Sequence, residues 1–365
     1  MKRVLFRRFI AASLVVAAPY GWAQHSLTVP FEVESVTNPG LAPSGEGRVT
    51  VFRLAPRYEI ESVRDDVRTV LTMGVAIEQS SNTALSANRN LPDVGYVWES
   101  SRPTSVFGLS ASYRRESTRS TEFADFGRLA VDSTQETGVF GARWSKDLAP
   151  NTRVMLGAAH TRVSYDDPLL EDYHETAASV AMERDRGEDD SYSLEASAAR
   201  LVPDGESEND SRVGLLFRYE RPLNEVLTLN TELGVVRTSG SRSQTDPVGR
   251  LQLTYAGERF STSIGWARNV AAGGTVGGYL RTQEVDWTLD YVVTGSTSLS
   301  LRAGRAQSLA PESTSGSSIS ARLMSELTQF WSMSFGVEHR RLRAADGPAS
   351  GNLIGLGFVY SHPNF

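Results

Sequence analysis

No cysteine occurs in the 365 residues, which excludes disulfides, thiolate metal sites and thiol catalysis. Long hydrophobic runs are missing too. Beyond the N-terminus no stretch approaches the roughly 20 apolar residues of a spanning helix, and the mean hydropathy is −0.28. A helical membrane protein is therefore excluded. Positive charge is not in excess, since 37 Lys and Arg stand against 43 Asp and Glu for a net charge of −6. That balance excludes a general nucleic-acid binder. Histidine is scarce: His25, His160, His174, His339 and His362 show no metal-ligand spacing, so neither a metal nor another cofactor is expected.

The N-terminus has the opposite character. A basic "MKRVLFRRF" is followed by the apolar "IAASLVVAAPYGWA", which predicts a secretory signal peptide over residues 1–23 with cleavage near Ala23 and Gln24. The next stretch, "QHSLTVPFEVESVTNPGLAPSGEG", is polar, contains Pro and Gly and lacks sustained periodicity. It is expected to be a periplasmic arm over residues 24–47.

From residue 48 to 365 the pattern changes to alternation, the period of a strand whose two faces meet different surroundings. In "EVDWTLDYVV" Val285, Trp287, Leu289, Tyr291 and Val293 face one way, and Glu284, Asp286, Thr288 and Asp290 face the other. In "SMSFGVEHR" the split is Met333, Phe335 and Val337 against Ser334, Gly336, Glu338 and Arg340. The connections alternate as well. Tight turns such as "SRPT" from Ser101 and "TGST" from Thr294 lie between longer polar loops such as 80–92, 115–133 and 343–350. Strands of roughly ten residues with short turns at one end and long loops at the other predict an all-β, antiparallel, up-and-down transmembrane β-barrel. The pattern divides into about 16 strands, within a range of roughly 14 to 18. The doubtful segments are "RVTVFRLAPRYEIES", which contains Pro56, and "HETAASVAMER", which is weakly amphipathic.

In hydrocarbon an unpaired backbone group costs several kcal/mol, so a closed barrel is the one spanning form left once helices are excluded. Its apolar face would meet outer-membrane lipid. Tyr96, Trp98, Trp144, Tyr219, Tyr255, Trp266, Trp331 and Tyr360 near strand ends suit an interfacial girdle. The other face is the candidate pore lining: Arg114, Arg143, Arg218, Glu220, Glu232, Glu284, Asp286, Asp290, Arg302, Arg322, Glu326, Glu338 and Arg340. Both signs are present, so strong ion selection is not expected. Such a wall fits an aqueous channel or a lumen closed by Arg–carboxylate pairs.

The stretches "RYEIESVRDDVRTVLTMGVAIEQSSNTALSANRN" and "SSRPTSVFGLSASYRRESTRSTEFADFG" resemble the outer-membrane β-barrels that accompany exopolysaccharide and exosortase (PEP-CTERM) systems. That resemblance implies a part in exporting or displaying polysaccharide and brings no catalytic residues. The C-terminal "GNLIGLGFVYSHPNF" resembles the assembly signal read by the barrel insertion machinery, carried here by Gly355, Phe358 and Tyr360, with Phe365 out of phase. The leading expectation is a non-enzymatic channel for polar solutes, linked through the resemblance to polysaccharide export. Its rivals are a closed barrel that presents its loops to a partner and, less favoured, a barrel lipid hydrolase. The hydrolase would need a serine beside a histidine such as His339.

Overall fold

The computed structural model describes residues 23–119, 121, 123, 132–187, 190–205, 208–240, 243–273, 278–309, 313–345 and 347–363. The predicted signal peptide, apart from Ala23, and Phe365 lie outside them. The strands are β1 (Ala23–Thr37), β2 (Arg48–Leu54), β3 (Arg57–Arg64), β4 (Val67–Ser80), β5 (Arg89–Arg102) and β6 (Ser105–Ser117). Next come β7 (Thr134–Ala149), β8 (Thr152–Tyr165), β9 (Tyr173–Arg186), β10 (Asp190–Pro203), β11 (Asp210–Asn224) and β12 (Leu227–Ser239). The chain continues through β13 (Gln244–Ala256), β14 (Phe260–Gly273), β15 (Gly278–Thr294), β16 (Thr297–Ser308), β17 (Thr314–Glu326), β18 (Trp331–Ala344) and β19 (Gly347–Pro363).

All of them form one antiparallel sheet, and β1 pairs with β19 from Ser26↔Pro363 to Val36↔Leu353, which closes the cylinder. Closure leaves no edge strand. β2 and β3 are two pieces of one barrel strand, because both pair with β1 on one side and β4 on the other in a single unbroken register. Pro56, which has no N–H to donate, sits at the break. The ladder is carried past it by the Ala55 N–H to the Pro30 carbonyl (3.0 Å) and the Val75 N–H to the Pro56 carbonyl (3.1 Å). The barrel therefore has 18 strands.

Two expectations are corrected here. The count is 18 rather than about 16, and residues 24–37 are a barrel strand rather than part of an arm. β1 does alternate, with Leu27, Val29, Phe31 and Val33 on one side and Thr28, Glu32 and Glu34 on the other. Pro30 interrupts the reading, but its carbonyl still accepts from Ala55. Both doubtful segments are strands too: "HETAASVAMER" lies in β9. The connections also prove shorter than expected, since strands run on into them; β18 ends at Ala344 and β19 begins at Gly347.

Turns such as 65–66, 103–104, 225–226 and 295–296 lie at the same end as the start of β1 and the end of β19, and 38–47, 81–88, 118–133 and 166–172 lie at the other. Residues paired across an antiparallel ladder share a face, and neighbours along a strand alternate. Followed around the cylinder, that rule sends one set of residues inward and the other outward. The outward set carries Phe31, Phe52, Phe140, Leu194, Leu215, Leu233, Ile264, Ile319, Phe335 and Ile354, all more than 40% exposed. No soluble fold leaves such a belt to water. Near the turn end aromatic rings pair on this surface: Trp98 with Phe107 (5.9 Å), Tyr255 with Phe260 (4.9 Å) and Trp331 with Tyr360 (5.2 Å). All eight predicted girdle aromatics share this outward face.

Candidate channel lumen

The register places all thirteen predicted lumen charges on the inward face. They differ in what they touch. Arg218 lies between Glu195 and Glu232, with its Nε 2.7 Å from Glu232, and Arg143 reaches Glu99. Arg340 grips Glu338 with two bonds of 2.7 and 2.9 Å, and Arg322 donates to Glu32 at 3.2 Å. Asp290 accepts from the Ser300 hydroxyl, and Arg114 lies 3.6 Å from Glu116. Glu220 is opposite Ser191 and Asn230, Glu284 opposite Ala267 and Ala306, Asp286 opposite Gly265 and Gly304, and Glu326 opposite Ser332 at the turn end. Arg302 is opposite Thr288 and Ser320 and has no ion-pair partner among the described residues.

Reading 24–47 as an arm hid the inward-facing Glu32 and Glu34 of β1. Glu32, Glu34, Arg53, Arg57, Glu78 and Arg89 also face inward, and with Arg302, Arg322 and Arg340 they line a cavity of about 1040 Å³. Arg53 reaches Glu78 at 3.6 Å, while Arg57 is unpaired among the described residues. At the loop end Arg89 and Arg119 converge on Asp132, Arg119 at 3.4 Å. Burial pulls the Arg119 guanidinium below its ordinary pKa, against a raising pull from Glu46. Nearby, Phe123 packs on Leu41, Leu342 and Ala349 and lies under the Arg340 guanidinium, 5.7 Å from it. The first and third connections of the loop end thus narrow this side of the mouth.

The other side is built differently. β13 and β14 pair only between Gly249↔Arg268 and Ala256↔Ser261, whereas β14 and β15 stay paired to Gly273↔Gly278. The free end of the β14–β15 hairpin leaves the wall and lies across the lumen. There Val270 packs on the inward-facing Val236 and Val248, while Ala272 and Tyr279 pack on Val163, Tyr173 and Leu201. A polar clasp holds it. The Tyr279 hydroxyl donates to Glu175 (2.8 Å), Arg212 donates to the Val270 carbonyl (2.7 Å) and approaches Glu175 (3.4 Å), and its guanidinium lies 5.2 Å from the Tyr279 ring. Asp246, with a side chain only 5% exposed, takes Arg281 at 3.3 Å and Arg268 at 3.9 Å.

Below the hairpin is a second cavity of about 550 Å³, walled by Asn269, Val270 and an inward face of small residues: Ser110, Gly141, Gly157, Ala159, Ala177 and Ser179. None of the clasp residues stood out in the sequence. A usable signal was the small inward side chains of β9, Ala177, Ser179 and Ala181, which leave room for something else to pack.

The remaining predicted residues fall as follows. Phe358 and Tyr360 point outward and Gly355 inward on β19, next to the closing seam. His339 is on the outer wall, where its ring bonds Asn352 at 2.8 Å; among the described residues no serine hydroxyl bonds it. The pairing that nucleophilic catalysis requires is not formed there. No group of three potential metal ligands occurs among the described residues.

No protein-family description and no curated protein sequence matches the chain. Solved structures do. OpdQ from Pseudomonas aeruginosa superposes with a TM-score of 0.56 at 9% identity, over 94% of this chain and 100% of that one. A BenF-like porin from Pseudomonas fluorescens Pf-5 gives 0.56 at 9%, over 93% and 99%. OccAB4 from Acinetobacter baumannii gives 0.56 at 7%, over 93% and 98%. The chain shares the closed antiparallel β-barrel fold of these structures.

Proposed function

We propose that this protein is a non-enzymatic outer-membrane channel that passes small polar solutes along the charged half of its lumen. The observation that carries the reading is the 1040 Å³ cavity, bounded by inward-facing charges of both signs, inside a barrel apolar on its outside. A barrel of this strand number is wide enough for water unless something fills it, and here the hairpin and Phe123 narrow it from two sides. Solutes would pass between Arg302 and Arg322 on one wall and Arg53 and Arg57 on the other, exchanging hydration for charged hydrogen bonds.

A polysaccharide cargo is not part of this reading. Among the described strand residues the aromatics inside the lumen are Tyr165, Tyr173 and Tyr279, and all three are taken up where the hairpin packs on the wall. No run of aromatic faces is left for sugar rings to stack on. Planar-bilayer recording of the refolded protein should show discrete conductance steps. Silence at every voltage would instead leave a closed barrel that presents its loops.

Assembly is expected to depend on the outward side chains at the seam. Replacing Phe358 and Tyr360 together with serine should reduce the heat-modifiable, folded fraction more than removing Phe365 does. The reverse order would move the assembly signal to the terminal residue.

A further inference from the structure

The outer wall carries charge of its own near the loop end. Across β16, β18 and β2 the outward positions above the apolar belt are Arg305, His339, Arg341, Arg343 and Arg48, all exposed. They form two rows. Arg305, Ser317, Arg341 and Ser350 are successive cross-strand neighbours, as are His339, Asn352, Thr37 and Arg48. With strands about 4.8 Å apart, Arg305 and Arg341 stand about 10 Å from each other.

No Asp or Glu occupies an outward position on β16, β17, β18, β19, β1 or β2. The four arginines have no ion-pair partner among the described residues. Elsewhere on the outer wall some cations are met by acids, Arg115 by Asp166, and Arg162 and His174 by Asp204 at 3.6 and 3.5 Å. Arg200 and Arg237 have no ion-pair partner among the described residues but border no cleft with a connection beside them. The uncompensated wall is also concave. The connection 38–47 rises beside it, and together they border an open cleft of about 700 Å³ lined by Thr37, Ala42, Gly45, His339, Arg341 and Ser350. Directly below, on the same face, lie Ile319, Val337 and Ile354, each at least 40% exposed.

We infer that this wall binds a phosphate-bearing lipid of the surrounding leaflet, its phosphates on Arg305, Arg341, Arg343 and His339 and its acyl chains on the apolar belt beneath. Charge complementarity argues for that occupant. Guanidinium groups take phosphate oxygens two at a time, and long arginine stems lie along apolar surface while the heads reach the polar layer. A second copy of this chain would present the same uncompensated cations and repel. The inference rests on the membrane placement proposed above.

The test uses the folded full chain in detergent, with a diphosphorylated glucosamine-disaccharide lipid (lipid A), its dephosphorylated form and inorganic phosphate as separate probes, read by native mass spectrometry. Loss of three cations at a membrane surface should weaken binding of the phosphorylated lipid about a hundredfold in R305Q/R341Q/R343Q. The dephosphorylated lipid should bind the parent about as weakly as the phosphorylated one binds the variant. Arg200→Gln with Arg237→Gln, on another part of the outer wall, should change nothing, and heat-modifiable migration checks that each variant is folded. Equal binding by parent and triple variant, equal binding of the two lipids, or inorganic phosphate competing at equal concentration would each overturn the inference. Failure to insert into bilayers would instead strike the membrane reading.

Discussion

The two halves of the lumen are made from the same alternating strands and put to different uses. Against β8 to β13 small and aliphatic inward residues among the charged ones make room for the end of the β14–β15 hairpin, so that Val163, Leu201, Val236, Val248 and Val270 are all below 9% exposure. Between β16 and β4 long charged side chains such as Arg302, Arg322, Arg340, Glu34, Arg53 and Arg57 rise among small ones, and the space stays open. The difference lies in what the charges are for. In the filled half Glu175, Arg212 and Asp246 clasp a segment of the chain itself and Arg218 is held between Glu195 and Glu232, while in the open half Arg57 and Arg302 have no ion-pair partner among the described residues. A barrel wall can thus hold a small core on one side without losing its passage on the other.

The largest expected effect comes from removing that core. Deleting residues 271–279 takes away most of the hairpin end and its Tyr279 clasp. Single-channel conductance should rise to roughly twice the parent value, as about half of a lumen wide enough for water is released. An unchanged conductance would mean that ions already pass through the filled half, and the contrast between the halves would fail. Next in size is Glu175→Ala, which leaves Arg212 and the Tyr279 hydroxyl without their shared acceptor. Urea titration of the folded fraction should show a loss of about 2 to 3 kcal/mol. A loss near zero would show that apolar packing alone holds the hairpin.

Much of this was legible in the sequence, and the reasons are local. Val285, Trp287, Leu289 and Tyr291 alternate without interruption, and the strand and both its faces follow from that period. β1 was not legible, because Pro30 interrupts it and its inward side bears Glu32 and Glu34, whose partners lie far along the chain. Arg322, for one, is 290 positions from Glu32. The clasp was hidden for the same reason: Glu175 and Tyr279 are 104 residues apart, and no period within either strand announces that one hairpin bends inward. Alternation tells a residue's face; it does not tell whether that face meets water or another piece of chain.

A smaller effect should separate the halves by charge. Arg302 faces the open cavity with no ion-pair partner among the described residues, so Arg302→Glu should shift the zero-current potential in a salt gradient toward cations. Arg281→Glu, behind the clasp, should alter stability more than selectivity, since Arg281 is engaged with Asp246. If both substitutions moved the potential equally, the charged half would not be the only conducting one.

The smallest effect concerns a pair that looks important on distance alone. Arg322 and Glu32 are 3.2 Å apart, but the Arg322 side chain is 58% exposed in the open half. Water screens such a pair, and holding two long side chains in one geometry costs entropy, so the net contribution of an exposed pair is small. Arg322→Gln should therefore change unfolding free energy by only about 0.5 kcal/mol, several-fold less than Glu175→Ala. The two substitutions each remove one member of an inward-facing charged contact in the same cylinder. Their ratio measures how dry the filled half is relative to the open one, and equal losses would place both contacts in the same solvent.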